Sequence, residues 1–282
     1  MVKEFGMVLS GGGAKGAYQV GALKALSEYD IKINSVSGSS IGGINAFAYA
    51  SLPLNEIINL WNNFKINDFF SPDDDWSDGI SDRKSLIQIL EKVVDVKKIS
   101  NCIPIFNTIC INKYLPEYKL LNNKSKEEII RILLATSALP IIYSKVDINN
   151  IYYQDGGIAD NLPVNPLYLN DIKDLIVISL SDTLRVDQNK FKLNTLIEIY
   201  PSYDLGDLFD GTLNFNQKYI SFAMKLGYFD TKRTLNNYFG ISNGCHTPEF
   251  DYNQIQHELQ VESLQKNINK NIDYINNLDK NF

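Results

Sequence analysis

Between residues 5 and 50 the chain reads strand, glycine loop, helix, strand, glycine turn, helix, and that order admits few folds. Phe5 to Leu9 is a short apolar run that ends in Ser10-Gly11-Gly12-Gly13-Ala14-Lys15-Gly16. Ala17, Val20, Ala22, Leu23 and Leu26 then recur at three- and four-residue intervals, the period of a helix with one buried face. Ile31 to Val36 forms a second strand, and Gly43 to Ala50 a second helix. Strands separated by a helix cannot pair as a hairpin. They pair in parallel through a crossover, which predicts an α/β fold with a mainly parallel central sheet.

The second strand delivers Ser35-Val36-Ser37-Gly38-Ser39-Ser40-Ile41-Gly42-Gly43-Ile44-Asn45. Gly38 to Gly42 is a G-x-S-x-G frame with Ser40 at its centre. Such a serine sits on a sharp strand-to-helix turn with its hydroxyl thrust outward. The flanking glycines fit a turn whose backbone lies close to its neighbours, where a Cβ would clash. The helix that follows points its free N–H groups and positive dipole end at Ser40, an arrangement that favours negative charge there. These are the needs of a nucleophile that passes through an oxyanion. With 17 glycines in 282 residues, one such frame also arises by chance.

At 282 residues and 44% hydrophobic content the chain can bury a large core. It is read as a single domain, residues 1–282, with a motif-bearing core over about 5–180 and a helical extension over about 181–282. The net charge is −6 and no basic stripe occurs, so nucleic acid is not an expected partner. Cys102, Cys110 and Cys245 are odd in number and lack metal-ligand spacing. They are expected to be apolar fillers, Cys102 and Cys110 within a strand-like run, in a reducing compartment. The first nine residues lack a signal-peptide core, and no apolar run reaches 18 residues. The expected setting is cytoplasmic, with any membrane contact peripheral and transient. The oligomeric state is not legible.

Further along, Asn55 to Phe64 and Leu86 to Val94 read as amphipathic helices, and Ile103 to Ile111 as a strand. Phe69 to Gly79 is an acidic, aromatic loop. An EF-hand register from Asp74 puts Trp76 at a ligand position and Ser85 where a glutamate belongs, so a solvated loop is expected rather than a calcium site. Glu127 to Ala135 reads as a helix closed by Pro140, and Ile151 to Tyr153 as a brief strand leading into Gln154-Asp155-Gly156-Gly157. Leu175 to Leu180 has the composition of a strand buried on both faces. Asn214 to Leu226 and the repeat of Ile255, Leu259, Leu264, Ile268, Ile272, Ile275 and Leu278 read as C-terminal helices.

Two chemistries compete for the first loop. Gly11 to Gly16 satisfies G-x-G-x-x-G, the fingerprint of a dinucleotide-binding Rossmann module, with Asp30 near the spacing of a ribose-binding acid. In that fold the acid ends the second strand, whereas Asp30 precedes it. Three successive glycines also suit a loop that turns several N–H groups toward one point, an oxyanion hole. Asp155 with Gly156 and Gly157 is either an ordinary Asp-Gly turn or a carboxylate held by its backbone to approach another loop.

Taken together, Gly11 to Gly16, Gly38 to Gly42 and Asp155 to Gly157 resemble the motifs of the patatin-like phospholipase family. Ala135-Thr136-Ser137-Ala138-Leu139-Pro140 and Asn161-Leu162-Pro163-Val164 look like further family blocks. The resemblance spans about residues 5–180, with Lys15 standing where arginine is frequent. It implies a three-layer α/β/α fold with extra C-terminal helices, and a serine lipid acyl hydrolase that needs no metal or other cofactor. Ser40 would be the nucleophile, Asp155 the base, and the N–H groups of Gly11, Gly12 and Gly13 the oxyanion hole, while Gly16, Gly38, Gly42, Gly156 and Gly157 shape the backbone. The implied substrates are glycerophospholipid or lysophospholipid esters. A Ser–His–Asp esterase remains an alternative in chain order, because His246 and His257 both follow Asp155. His246, in a loop, is the competitor.

Overall fold

In the computed structural model the described residues are 3–64, 83–111, 114–140 and 142–241. The chain divides into two compact units, Met1–Gly240 and Ile241–Phe282, and every element below belongs to the first. Its strands are β1 (Lys3–Leu9), β2 (Ile31–Ser39), β3 (Ile105–Ile111), β4 (Leu115–Leu120), β5 (Val146–Ile148), β6 (Ile151–Asp155), β7 (Asp174–Ile178) and β8 (Thr195–Ile199). They form one sheet in the order β5-β6-β3-β2-β1-β7-β8, with β4 paired to β3. The five strands from β3 to β8 along that order are parallel to one another, while β4, β5 and β6 run antiparallel to their neighbours.

The helices are α1 (Ala17–Leu26), α2 (Ile41–Ser51), α3 (Leu54–Asn63), α4 (Lys84–Val93), α5 (Val96–Asn101), α6 (Lys126–Thr136), α7 (Asn165–Tyr168) and α8 (Gln217–Phe239). Strand alternation sends Val8, Leu175 and Val177 to one face of the sheet. There they meet Leu162, Val164 and Leu167 around α7, with Val186 and Phe191 from the stretch before β8. The opposite face carries α2 against β1, β2 and β3, and α6 against β3, β5 and β6, with α1 between α2 and α8. Helices thus flank a central sheet on both faces, the α7 layer being the thinner.

Several elements differ from the sequence expectation, and the stretch after residue 181, which the sequence reads as a helical extension, contains strand β8. The helix expected over Asn214 to Leu226 is α8, which starts at Gln217 and runs on to Phe239. Its apolar pattern fades at Gly227, Asp230 and Thr231, yet all three are buried at helical spacing against α1. Gly227 is there for closeness: a Cβ would overlap the Tyr18 carbonyl, just as one on Gly21 would overlap that of Met224. Asp230 is held by Tyr18 Oη at 3.2 Å, Ser202 N at 2.9 Å and Arg233 at 2.8 Å. Cys102 caps the end of α5 rather than lying in a strand, while Cys110 is buried in β3; neither is paired. The Phe69–Gly79 loop and the repeat from Ile255 to Leu278 lie outside the described residues, and no helix among those described is long and apolar enough to cross a membrane.

Candidate active site

The site follows from how two strands share one edge of β3. β4 pairs with Phe106 to Ile111 along one edge. The other edge is divided: β2 pairs in parallel with Ile105 to Thr108, and β6 pairs antiparallel with Ile109 and Cys110. β2 and β6 therefore run head to head. β2 ends at Ser39, opposite Thr108, and β6 ends at Asp155, opposite Ile109. The residue that leaves β2 is Ser40, so adjacent ladder positions bring the serine and the aspartate together across 115 residues of chain.

Ser40 stands between β2 and α2 with φ 53° and ψ −127°, a conformation that an L-residue holds only when its surroundings enforce it. They do so by contact. A Cβ at Gly38 would overlap the Gly42 carbonyl, and one at Gly42 would overlap the Leu9 carbonyl, so the turn folds onto β1 only with glycine at both positions. The Ser40 N–H donates to Thr136 Oγ1 at 2.9 Å, and that hydroxyl donates to the Thr108 carbonyl at 2.6 Å. Thr136 closes α6, which a capping box between Ser125 and Glu128 fixes at its other end.

Asp155 Oδ2 accepts from Ser40 Oγ at 2.6 Å, and Oδ1 accepts from the Gly157 N–H at 2.7 Å. The carboxylate is only 4% exposed. Burial pushes its pKa up to about 6, although Ser40, the Gly157 N–H and the charge of Arg83 each pull the other way. Gly156 lies over the Thr108 carbonyl, where a Cβ has no room, which lets the chain turn immediately after the aspartate. Arg83 is itself buried. It donates to Ser137 Oγ at 3.2 Å and the Leu134 carbonyl at 2.7 Å, stacks 4.7 Å from the Tyr143 ring, and has its pKa lowered by burial to about 10.

Gly11, Gly12 and Gly13 face Ser40 across a cavity of about 300 Å³ that Asp155 also lines. The Gly11 N–H is already committed to Asn161, donating to its Oδ1 at 3.0 Å and its carbonyl at 3.3 Å. The N–H groups of Gly12 and Gly13 have no partner among the described residues, which leaves them as the unengaged candidate donors to an oxyanion. Gly13 has φ +58°, and a Cβ there would overlap the Thr212 carbonyl. Gly16 packs on Ile41 at the start of α1. Behind the loop, Gln19 donates to the Ser10 carbonyl at 2.7 Å. Asn45 donates to Gln19 and to the Gly16 carbonyl, and accepts from Trp61 at 3.1 Å. This buried chain of amides ties the loop to α2. Ile41, Leu139, Leu213 and Phe215 give the cavity an apolar wall.

The dinucleotide reading fails on placement. Asp30 precedes Ile31, which pairs with Lys3 at the beginning of β1, whereas the glycine loop follows Leu9 at its end. About 20 Å of strand separates them. Asn161, Thr136 and Arg83 were not legible as functional residues. Asn161 and Thr136 lie in blocks that stood out in the sequence, but nothing local assigned them a bond. Arg83 follows the acidic loop without any pattern. His246 and His257 lie outside the described residues.

Residues 7–168 match the sequence profile of the family described as Patatin-like phospholipase. The chain belongs to the patatin-like phospholipase family. Among curated relatives within reach of it, "Probable lipid hydrolase 463L" of Invertebrate iridescent virus 6 is 28% identical over 181 residues, 56% of this chain and 61% of the relative. "Lysophospholipase NTE1" of Cryptococcus neoformans var. neoformans is 26% identical over 202 residues, 64% of this chain and 12% of the relative. The chain thus spans less than two thirds of either protein. Among solved structures, VipD from Legionella pneumophila superposes with a TM-score of 0.53 at 15% identity, over 83% of this chain and 67% of that one. That similarity is one of fold, and it agrees with a patatin-like sheet flanked by helices.

Proposed function

We propose that the protein is a serine lipid acyl hydrolase that cleaves carboxylic esters of glycerophospholipids or lysophospholipids with a Ser40–Asp155 dyad. The observation that carries this reading is the 2.6 Å bond from Ser40 Oγ to Asp155 Oδ2 inside an apolar cavity faced by the glycine loop. With its pKa raised to about 6, Asp155 is mostly ionised at pH 7 and still basic enough to take a proton. It accepts the Ser40 proton as Oγ attacks the ester carbonyl, and the resulting oxyanion accepts bonds from Gly12 and Gly13. Collapse of the tetrahedral intermediate breaks the ester C–O bond, and Asp155 returns the proton to the leaving alcohol. Water, deprotonated by the same carboxylate, then attacks the acyl carbonyl, and as the C–Oγ bond breaks Asp155 returns the proton to Ser40 Oγ and the fatty acid is released. The apolar wall suits the acyl chain.

A direct Ser–Asp bond supports a dyad over a Ser–His–Asp triad, in which an imidazole occupies the space between the two. The test is hydrolysis of diacyl and lysophospholipid substrates and a water-soluble ester by wild type, Ser40→Ala and Asp155→Asn. Losses on the order of 10³ or more in each variant are expected. Retained turnover in Ser40→Ala would remove the proposal.

A further inference from the structure

Arg83 stands immediately before α4 in the left-handed region, with φ 56° and ψ 35°, and it is buried. A bulky residue keeps that conformation only where its surroundings enforce it. A buried guanidinium is also costly unless good partners hold it. Its partners here are at the end of α6. One arm of the fork donates to the Leu134 carbonyl at 2.7 Å and the other to Ser137 Oγ at 3.2 Å, while Ser137 Oγ donates to the Leu133 carbonyl at 2.9 Å. A cation at a helix C-terminus meets carbonyls that find no partner within the helix.

The residues between and just after those anchors grip the dyad. Thr136 Oγ1 accepts from the Ser40 N–H at 2.9 Å, and the Ala138 carbonyl accepts from the Asp155 N–H at 3.0 Å. Ser137, Leu139 and Tyr143 line the cavity. The stretch from 134 to 143 therefore touches the nucleophile, the base and the space between them, and Arg83 holds that stretch at Leu134, Ser137 and the Tyr143 ring.

Resting on the hydrolase reading above, we propose that Arg83 is a positioning residue, whose guanidinium fixes the last turn of α6 in the arrangement that keeps Ser40 Oγ within bonding reach of Asp155. It acts on Ser40 through Thr136 and on Asp155 through Ala138. A lysine offers a point charge rather than a planar fork, so it does not hold both anchors in the same geometry. The charge adds to the effect: burial opposes ionisation of Asp155, and the Arg83 cation favours it.

Amide hydrogen exchange of wild type and Arg83→Met reads the positioning directly. The Ser40 and Asp155 N–H groups should exchange about tenfold faster or more in the variant, while Val177 in β7 keeps its protection. With a short water-soluble ester, kcat should fall about 10- to 100-fold with KM little changed, the cost of misplaced reacting groups. In a Thr136→Val background the same substitution should cost only about threefold, because the route to Ser40 is already cut. Arg83→Lys should move all three readings in the same direction, and it serves if Arg83→Met does not fold. Unchanged exchange at Ser40 and Asp155, unchanged kcat in a folded variant, or losses that simply multiply in the double variant would each overturn the proposal. Absence of ester turnover in wild type would instead count against the hydrolase reading, because the exchange measurement does not depend on catalysis.

Discussion

Replacing Asp155 with asparagine should abolish turnover and also make the protein more stable at neutral pH. Burial raises the carboxyl from 3.8 to about 6, and the side chain is only 4% exposed. Below pH 3.8 the folded and unfolded chains both hold the proton, so the shift has no effect on stability. As pH rises from there through 6, the unfolded chain ionises this group more easily than the folded one, and stability falls. The loss is about 1 kcal/mol at pH 4.5 and about 3 kcal/mol at pH 7.5, at about 1.36 kcal/mol per pKa unit. Asparagine has no proton to lose. Its Oδ1 can still accept from the Gly157 N–H while its amide donates to Ser40 Oγ, so the two bonds of Asp155 keep their counterparts. The stability advantage of Asp155→Asn over wild type should therefore widen by about 2 kcal/mol between pH 4.5 and 7.5. Urea unfolding of both proteins at both pH values measures it. An advantage that stays flat or narrows as pH rises would refute the account of Asp155 as a carboxyl buried at a cost to the fold.

The same shift predicts that kcat/KM for a water-soluble ester falls about tenfold per pH unit below about 6, on the limb set by Asp155; a profile level down to pH 4.5 would contradict it. Gly13→Ala introduces a Cβ at φ +58° and against the Thr212 carbonyl, displacing one proposed oxyanion donor. Steady-state kinetics should show a loss of about 10²–10³ in kcat, with folding checked by circular dichroism. Asn161→Ala removes the Oδ1 acceptor of the Gly11 N–H, leaves it only the backbone carbonyl of residue 161, and loosens the loop, so kcat should drop about tenfold with KM little changed; a purely structural role would lower the unfolding midpoint and leave kcat intact. His246→Ala should keep most activity, and a thousandfold loss in a folded variant would restore the triad.

What was legible in the sequence is what short-range rules govern. β1, α1, β2 and α2 follow from apolar period and glycine placement, and Asp155 stood out because two glycines follow it. What was not legible depends on partners far away in the chain. Nothing local to Ile151 to Asp155 says that this strand runs head to head with β2 on one edge of β3, yet that register brings Asp155 to Ser40. The same limit hid the commitment of Gly11 to Asn161, a contact across 150 residues. It also hid Arg83, whose burial near Asp155 depends on how Leu134, Ser137 and Tyr143 are arranged around it. The end of α8 was missed for a different reason. Its buried face is completed by a glycine, an aspartate and a threonine, which satisfy close approach and hydrogen bonds rather than hydrophobicity.

The central claim is that Ser40 is the nucleophile and Asp155 the base that activates it. Peptide mass mapping after reaction with a fluorophosphonate measures both, because the reagent forms a stable bond only with an activated serine. The adduct should lie on Ser40 alone, form at a rate that falls as pH drops below about 6, and be absent from Asp155→Asn. Labelling at another serine, or labelling of Ser40 at an undiminished rate in Asp155→Asn, would contradict the account.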